Sequence, residues 1–191
     1  MTEPEHHIKQ RLLPYCHRLD RRSTDSLRLV VVHCTELPDL ATAREYGEKI
    51  HYGASGTGNS GHFYIERSGQ IEQWVSEDRI AHHVRGFNQN SIGIELVNRG
   101  RYPDWFDSGN QEMQEAYAGS QIESLVWLLN QLGQRFPGIK SIAGHDQLDR
   151  TRVPASDRPE TEVFRKQDPG PLFPWQQVLD LSGLERYTLK D

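Results

Sequence analysis

Leu27-Arg28-Leu29-Val30-Val31-Val32-His33-Cys34-Thr35 is the stretch on which the fold turns. A nearly continuous apolar and β-branched run of this length reads as a strand buried on both faces, the kind found inside a parallel sheet. It ends abruptly in polar sequence, which puts an imidazole, that of His33, at the rim of a sheet. Further runs repeat the theme. Residues 91–97 read as a second buried strand, and residues 139–143 as a short one that leads directly into Gly144-His145-Asp146. Residues 62–66 and 70–75 flank Arg67-Ser68-Gly69 with the spacing and turn chemistry of a β-hairpin.

Helical segments lie between these strands. Asp39 can cap a helix running through about Tyr52, ahead of a loop marked by Gly53, Gly56, Gly58 and Gly61. Ile122, Leu125, Val126, Leu129, Leu132 and Phe136 follow helical spacing and define one apolar face, which Pro137-Gly138 ends. A final short helix is expected over residues 175–181. Residues 100–119 are polar and irregular, long for a connection without a function. Residues 150–169 are rich in charge and proline and read as a surface loop. The expected fold is therefore α/β, a mixed central β-sheet flanked by helices in one domain, with the reactive groups at strand ends. Residues 1–26 read as an N-terminal extension, residues 27–181 as the domain, and residues 182–191 as a C-terminal tail.

Composition limits the partners. In 191 residues, 35% hydrophobic, there is apolar material for a single core. The net charge of −5 comes from 27 acidic and 22 basic residues mixed along the chain, so no basic stripe is available to neutralise phosphates, and nucleic acid is not an expected partner. No run approaches the roughly 20 apolar residues of a membrane span. The first twenty residues carry acidic and His residues and no apolar run of signal-peptide length, which predicts a cytoplasmic location. Cys16 and Cys34 cannot define a disulfide framework and read as reduced thiols.

An open zinc site needs three ligands of the His, Asp, Glu or Cys type and a free position for water. His33 and His145 each follow an apolar run, and in Lys166-Gln167-Asp168-Pro169-Gly170 the proline restricts Asp168 to extended geometry. No short metal motif is present, so spacing alone does not separate these residues from the other histidines. Cys34 neighbours His33 on a strand and so points to the opposite face, into the core. His6 and His7 read as a solvated tail.

Six blocks occur in order: Val31-Val32-His33-Cys34-Thr35, Gly61-His62-Phe63-Tyr64-Ile65, Ala81-His82-His83, Ser91-Ile92-Gly93-Ile94-Glu95-Leu96, Gly144-His145-Asp146 and Lys166-Gln167-Asp168-Pro169-Gly170-Pro171. Together, over residues 27–175, they resemble the type 2 N-acetylmuramoyl-L-alanine amidase family, which includes phage-lysozyme-type amidases, peptidoglycan recognition proteins and AmpD-like cytoplasmic amidases. The resemblance implies Zn2+ held by His33, His145 and Asp168, and an Asp in the last position is similar to the AmpD-like branch. It implies catalytic roles for Glu95, orienting a water whose pKa zinc lowers to about 7 and accepting its proton, and for Lys166, facing the developing oxyanion. The bond cleaved would join the lactyl group of N-acetylmuramic acid, anhydro or not, to L-alanine of peptidoglycan or muropeptides.

Plainer alternatives stand beside these roles: an Arg partner for Glu95, a solvated charge for Lys166, a turn cap for Asp168. His62 and His82 are candidate substrate contacts or local packing groups, with His83 in the same block. Trp105, with Tyr102 and Phe106, could stack on sugar or stem peptide or simply anchor its loop. Some phage-type relatives carry a Tyr where this chain has Gly61, so any part for that Tyr is absent. A peptidoglycan-binding or sensing module of the same fold, without turnover, is the alternative function.

Overall fold

The computed structural model describes residues 6–189. The chain opens with a short strand, β1 (Ile8–Gln10), and then enters the apolar run as β2 (Leu29–Cys34), all six of whose residues are buried. Asp39 accepts a hydrogen bond from the Thr42 N–H at 2.7 Å and caps α1 (Leu40–Glu48). The helix stops about a turn earlier than residue 52. The backbone of Tyr52 is committed elsewhere, in a bridge to Thr57 across a turn.

The hairpin follows as β3 (Phe63–Ile65) and β4 (Ile71–Gln73), paired antiparallel, and then β5 (Ser91–Leu96). After the long irregular segment comes α2 (Gly119–Arg135), which buries Ile122, Leu125, Leu128, Leu129 and Leu132. Strand β6 (Ser141–Gly144) runs straight into the one-turn helix α3 (His145–Leu148). Residues 150–169, expected as surface loop, contain an antiparallel pair, β7 (Arg152–Pro154) and β8 (Glu162–Phe164), that buries Val163. The pair is too short and too charged to carry a strand signal. The chain closes with α4 (Trp175–Ser182) and β9 (Glu185–Arg186).

The sheet has seven strands in the order β1-β4-β3-β5-β2-β6-β9. Only β3 and β4 run antiparallel, so the sheet is mixed, with β2 between parallel neighbours β5 and β6. That central place accounts for its unbroken apolar run. The ends expected as extension and tail both join this sheet: β1 pairs with β4 and β9 with β6. Leu13, Tyr15, Cys16 and Leu19 pack in a core cluster with Trp74. His6 is not a free solvated side chain, since its ring stacks on Trp127 with centroids 5.3 Å apart.

Alternation along the strands sorts the two faces. Val30, Val32, Phe63, Ile65, Ile92, Ile94, Leu96 and Ile142 pack with α2 and α4 in one cluster. Leu29, Val31 and Ala143 lie in a cluster on the other side. His33, Glu95 and Tyr64 are register partners across β2, β5 and β3, so one row of the sheet carries all three side chains to the face away from α2.

Candidate metal centre

His33 leaves β2 near its carboxyl end, and His145 is the first residue after β6. The Asp146 N–H donates to the Asp168 carbonyl at 2.9 Å, which ties the loop carrying Asp168 to the start of α3. Three side chains distant in sequence therefore meet. His33 Nδ1 lies 3.0 Å from His145 Nδ1 and 2.9 Å from Asp168 Oδ2, and His145 Nδ1 lies 3.2 Å from the same oxygen. All three residues are buried, at 2%, 3% and 2% exposure.

Burial lowers His33 to about 4, so its ring is neutral at pH 7 and has a lone pair to offer. Burial also works to raise the Asp168 carboxyl, but contacts with His145 and His33 and the charge of Lys166 overcome it and hold the group well below the usual carboxylate range. A lone pair, a second imidazole nitrogen and a carboxylate oxygen about 3 Å apart require something positive between them. Tetrahedral zinc ligands at 2.0–2.1 Å would be separated by about 3.3 Å, close to these distances. Among the described residues, Asp168 Oδ1 and His145 Nε2 have no hydrogen-bond partner, so no competing bond draws either side chain out of the cluster. The set fits a divalent cation.

The cluster lines a cleft of about 820 Å³ whose walls also include Glu95, Lys166, His82, His83, Trp105 and Tyr64. Glu95 has no ion-pair partner among the described residues, so the Arg partner considered for it is not found. Burial pushes its carboxyl well above the ordinary value, the charges of Asp168 and Glu36 push the same way, and Lys166 opposes them. Gly61 makes room for it: a Cβ at that position would lie 2.8 Å from Glu95 Cγ. The Gly61 N–H donates to the Tyr64 hydroxyl at 3.1 Å.

His82 meets Tyr52 edge-on, with centroids 4.9 Å apart. Trp105 donates its indole N–H to the Glu36 carbonyl at 3.0 Å while lining the cleft, so it is anchored and still presents a face. His62, weighed as a substrate contact or a packing group, is wholly buried and is not among the residues of the cleft walls; its Nδ1 accepts from the Gly93 N–H at 3.0 Å, and its Nε2 lies 2.8 Å from Arg22 Nη2 and 3.1 Å from the Arg79 carbonyl. Both ring nitrogens are thus engaged inside the protein, next to β5.

One group escaped the sequence reading. Arg101, 1% exposed, grips both carboxylate oxygens of Glu36 at 2.7 and 2.9 Å and donates to the Phe164 and Arg165 carbonyls. It thereby clamps the end of β2 to the segment bearing Lys166 and Asp168. An Asp149–Arg165 ion pair supports the same segment. Nothing in composition or spacing announces an ion pair across 65 positions. His83, read from the sequence in one block with His82, has its Nδ1 3.0 Å from His33 Nε2, and burial holds it well below the ordinary His value.

The family model described as N-acetylmuramoyl-L-alanine amidase matches residues 23–171. N-acetylmuramoyl-L-alanine amidase AmiD of Escherichia coli (strain K12) is 34% identical over 117 residues, which is 57% of this chain and 37% of that protein. The 1,6-anhydro-N-acetylmuramyl-L-alanine amidase AmpD of Citrobacter freundii is 32% identical over 125 residues, 61% of this chain and 53% of that protein. The chain thus spans about a third to a half of these relatives' lengths. A solved complex of AmiD from E. coli with the substrate anhydro-N-acetylmuramic acid-L-Ala-D-gamma-Glu-L-Lys superposes with a TM-score of 0.61 at 26% identity, covering 84% of this chain and 58% of that one. Among the described residues, no helix is long and apolar enough to cross a membrane.

Proposed function

The chain belongs to the N-acetylmuramoyl-L-alanine amidase family, and from that premise we propose that it uses zinc to hydrolyse the amide between the lactyl group of N-acetylmuramic acid and L-alanine. The observation that carries this reading is the convergence of His33 Nδ1, His145 Nδ1 and Asp168 Oδ2 in a cleft that also holds a carboxyl and an ammonium group. These three atoms would hold the ion. When bound, zinc would supply Lewis acidity, letting water lose a proton near neutral pH and polarising a carbonyl.

Glu95 takes the proton of the attacking water and returns it to the alanine nitrogen as the C–N bond breaks, so a carboxylic acid and an amine leave. A carboxyl raised by burial is matched to both halves of that task near neutral pH. Lys166 offers its ammonium to the carbonyl oxygen as charge builds there. His82 and Trp105, on the cleft walls, contact the sugar or the stem peptide.

We place the action on soluble 1,6-anhydro fragments rather than the intact wall. The name of the Citrobacter relative and the anhydro substrate in the AmiD complex support that choice, and a cytoplasmic location goes with it. The test is mass spectrometry of products after the zinc-loaded chain meets anhydro-N-acetylmuramic acid-L-Ala-D-γ-Glu-L-Lys or intact sacculi. Free tripeptide, released faster from the fragment, is expected. Zinc and ligand bound without product would make the chain a peptidoglycan-binding module instead.

A further inference from the structure

We propose that His83 is a positioning residue for the metal centre: it selects the His33 tautomer that leaves Nδ1 free as a ligand, and Ser91 selects the tautomer of His83. The inference rests on the metal-site reading above.

Ser91 has a single hydroxyl proton, and the Phe87 carbonyl, 2.7 Å away, accepts it. Toward His83 Nε2, at 3.2 Å, the Ser91 oxygen can therefore only accept. In a neutral His83 ring the proton then sits on Nε2, and Nδ1 presents a lone pair. That lone pair faces His33 Nε2 at 3.0 Å and requires a hydrogen there. His33 Nδ1 is left bare and aimed at His145 Nδ1 and Asp168 Oδ2. Three hydrogen bonds thus convert the position of one backbone carbonyl into the protonation pattern of a ligand 54 residues away, counted from Phe87 to His33.

The segment is built to hold this chain of bonds. The Asn88 side-chain oxygen accepts from the N–H groups of His83 and Val84 at 3.0 and 2.7 Å. Arg22 donates to the carbonyls of Asn88 and Ser91, gathering the turn onto β5. Gly93 lets the ring lie against the strand, since a Cβ there would approach the His83 ring to 2.6 Å. With both nitrogens committed, His83 has no polar atom left for substrate although it lines the cleft. Outer partners of this kind orient a ligating imidazole and fix its tautomer.

The experiment measures zinc affinity by chelator competition on the full chain, with the imidazole 15N shifts of His33 read in metal-free protein. His83→Phe should weaken zinc binding by about 10- to 100-fold and move His33 toward a mixture of tautomers. His83→Gln, whose side-chain oxygen can accept the His33 Nε2 proton, should recover most of the affinity. Ser91→Ala should give a smaller loss with the same tautomer shift. Unchanged zinc affinity and unchanged His33 signals in His83→Phe would overturn the proposal. Should that variant fail to fold, unchanged values in Ser91→Ala would do so equally. A wild-type chain with its His33 proton on Nε2 but no affinity for zinc would support the tautomer relay and sink the metal-site reading.

Discussion

Along β5 the residues facing α2 are Ile92, Ile94 and Leu96, all fully buried in the main core, whereas Ser91, Gly93 and Glu95 face the other way. From one residue to the next along this strand, the chain switches between the chemistry of packing and the chemistry of a site. The α2 face gains its stability from apolar area, at about 1.5–3 kcal/mol for each large side chain buried. The opposite face spends burial on groups that resist it: a carboxyl raised by desolvation, imidazoles held neutral, a carboxylate kept ionised by its neighbours. A parallel strand with both faces covered lets the first subsidise the second.

If the two faces divide the work in this way, substitutions on each should move different observables. His145→Ala should abolish zinc retention and lower activity by about a thousandfold or more, because a metal centre contributes several kcal/mol to transition-state stabilisation; metal content and hydrolysis assays on one preparation check both. Glu95→Gln should keep its zinc while kcat falls by about 10²- to 10³-fold. Loss of metal in that variant would move Glu95 from proton transfer to coordination. Leu125→Ala, on the α2 face, should cost about 2–5 kcal/mol in urea unfolding and leave kcat at 25 °C as it was.

The most gradual effect is a slope with pH. His33, His62 and His83 are buried in neutral form, with folded values below the ordinary 6.5. Below that pH the unfolded chain binds protons that the folded one refuses. Stability of the metal-free protein should therefore be complete above about pH 6.5 and decline toward pH 4, by up to about 1.4 kcal/mol per pH unit for each ring. Urea midpoints taken at stepped pH values would show it, and a flat profile would mean that these rings are charged or exposed.

Much of the scaffold is legible in the sequence because β2, β5 and α2 carry strong local patterns: continuous apolar runs in the strands and a 3.6-residue period in the helix. The elements that escape it are those whose existence depends on a neighbour. β1 and β9 are three and two residues long and are strands only because β4 and β6 offer them edges. The β7–β8 pair is hidden by its charge. At the site, the proposed ligands His33 and His145 stand 112 positions apart, so no local spacing marks them, and only six ordered blocks of family resemblance pointed to them. His62 and His83 each lie in one of those blocks. One is engaged by the Gly93 N–H of β5 and the other meets His33, a proposed ligand, a difference made by Arg79, Gly93, Ser91 and His33, which no window of sequence brings together.

The account depends most on which atoms hold the metal. Zinc K-edge X-ray absorption on the loaded full chain would test this directly. We expect one zinc per chain with two imidazole nitrogens and oxygen ligands, all at about 2.0–2.2 Å, and no sulfur. A sulfur scatterer near 2.3 Å would place Cys34 in the site and contradict the assignment of β2's two faces, and a chain that retained no zinc would contradict the metal centre itself.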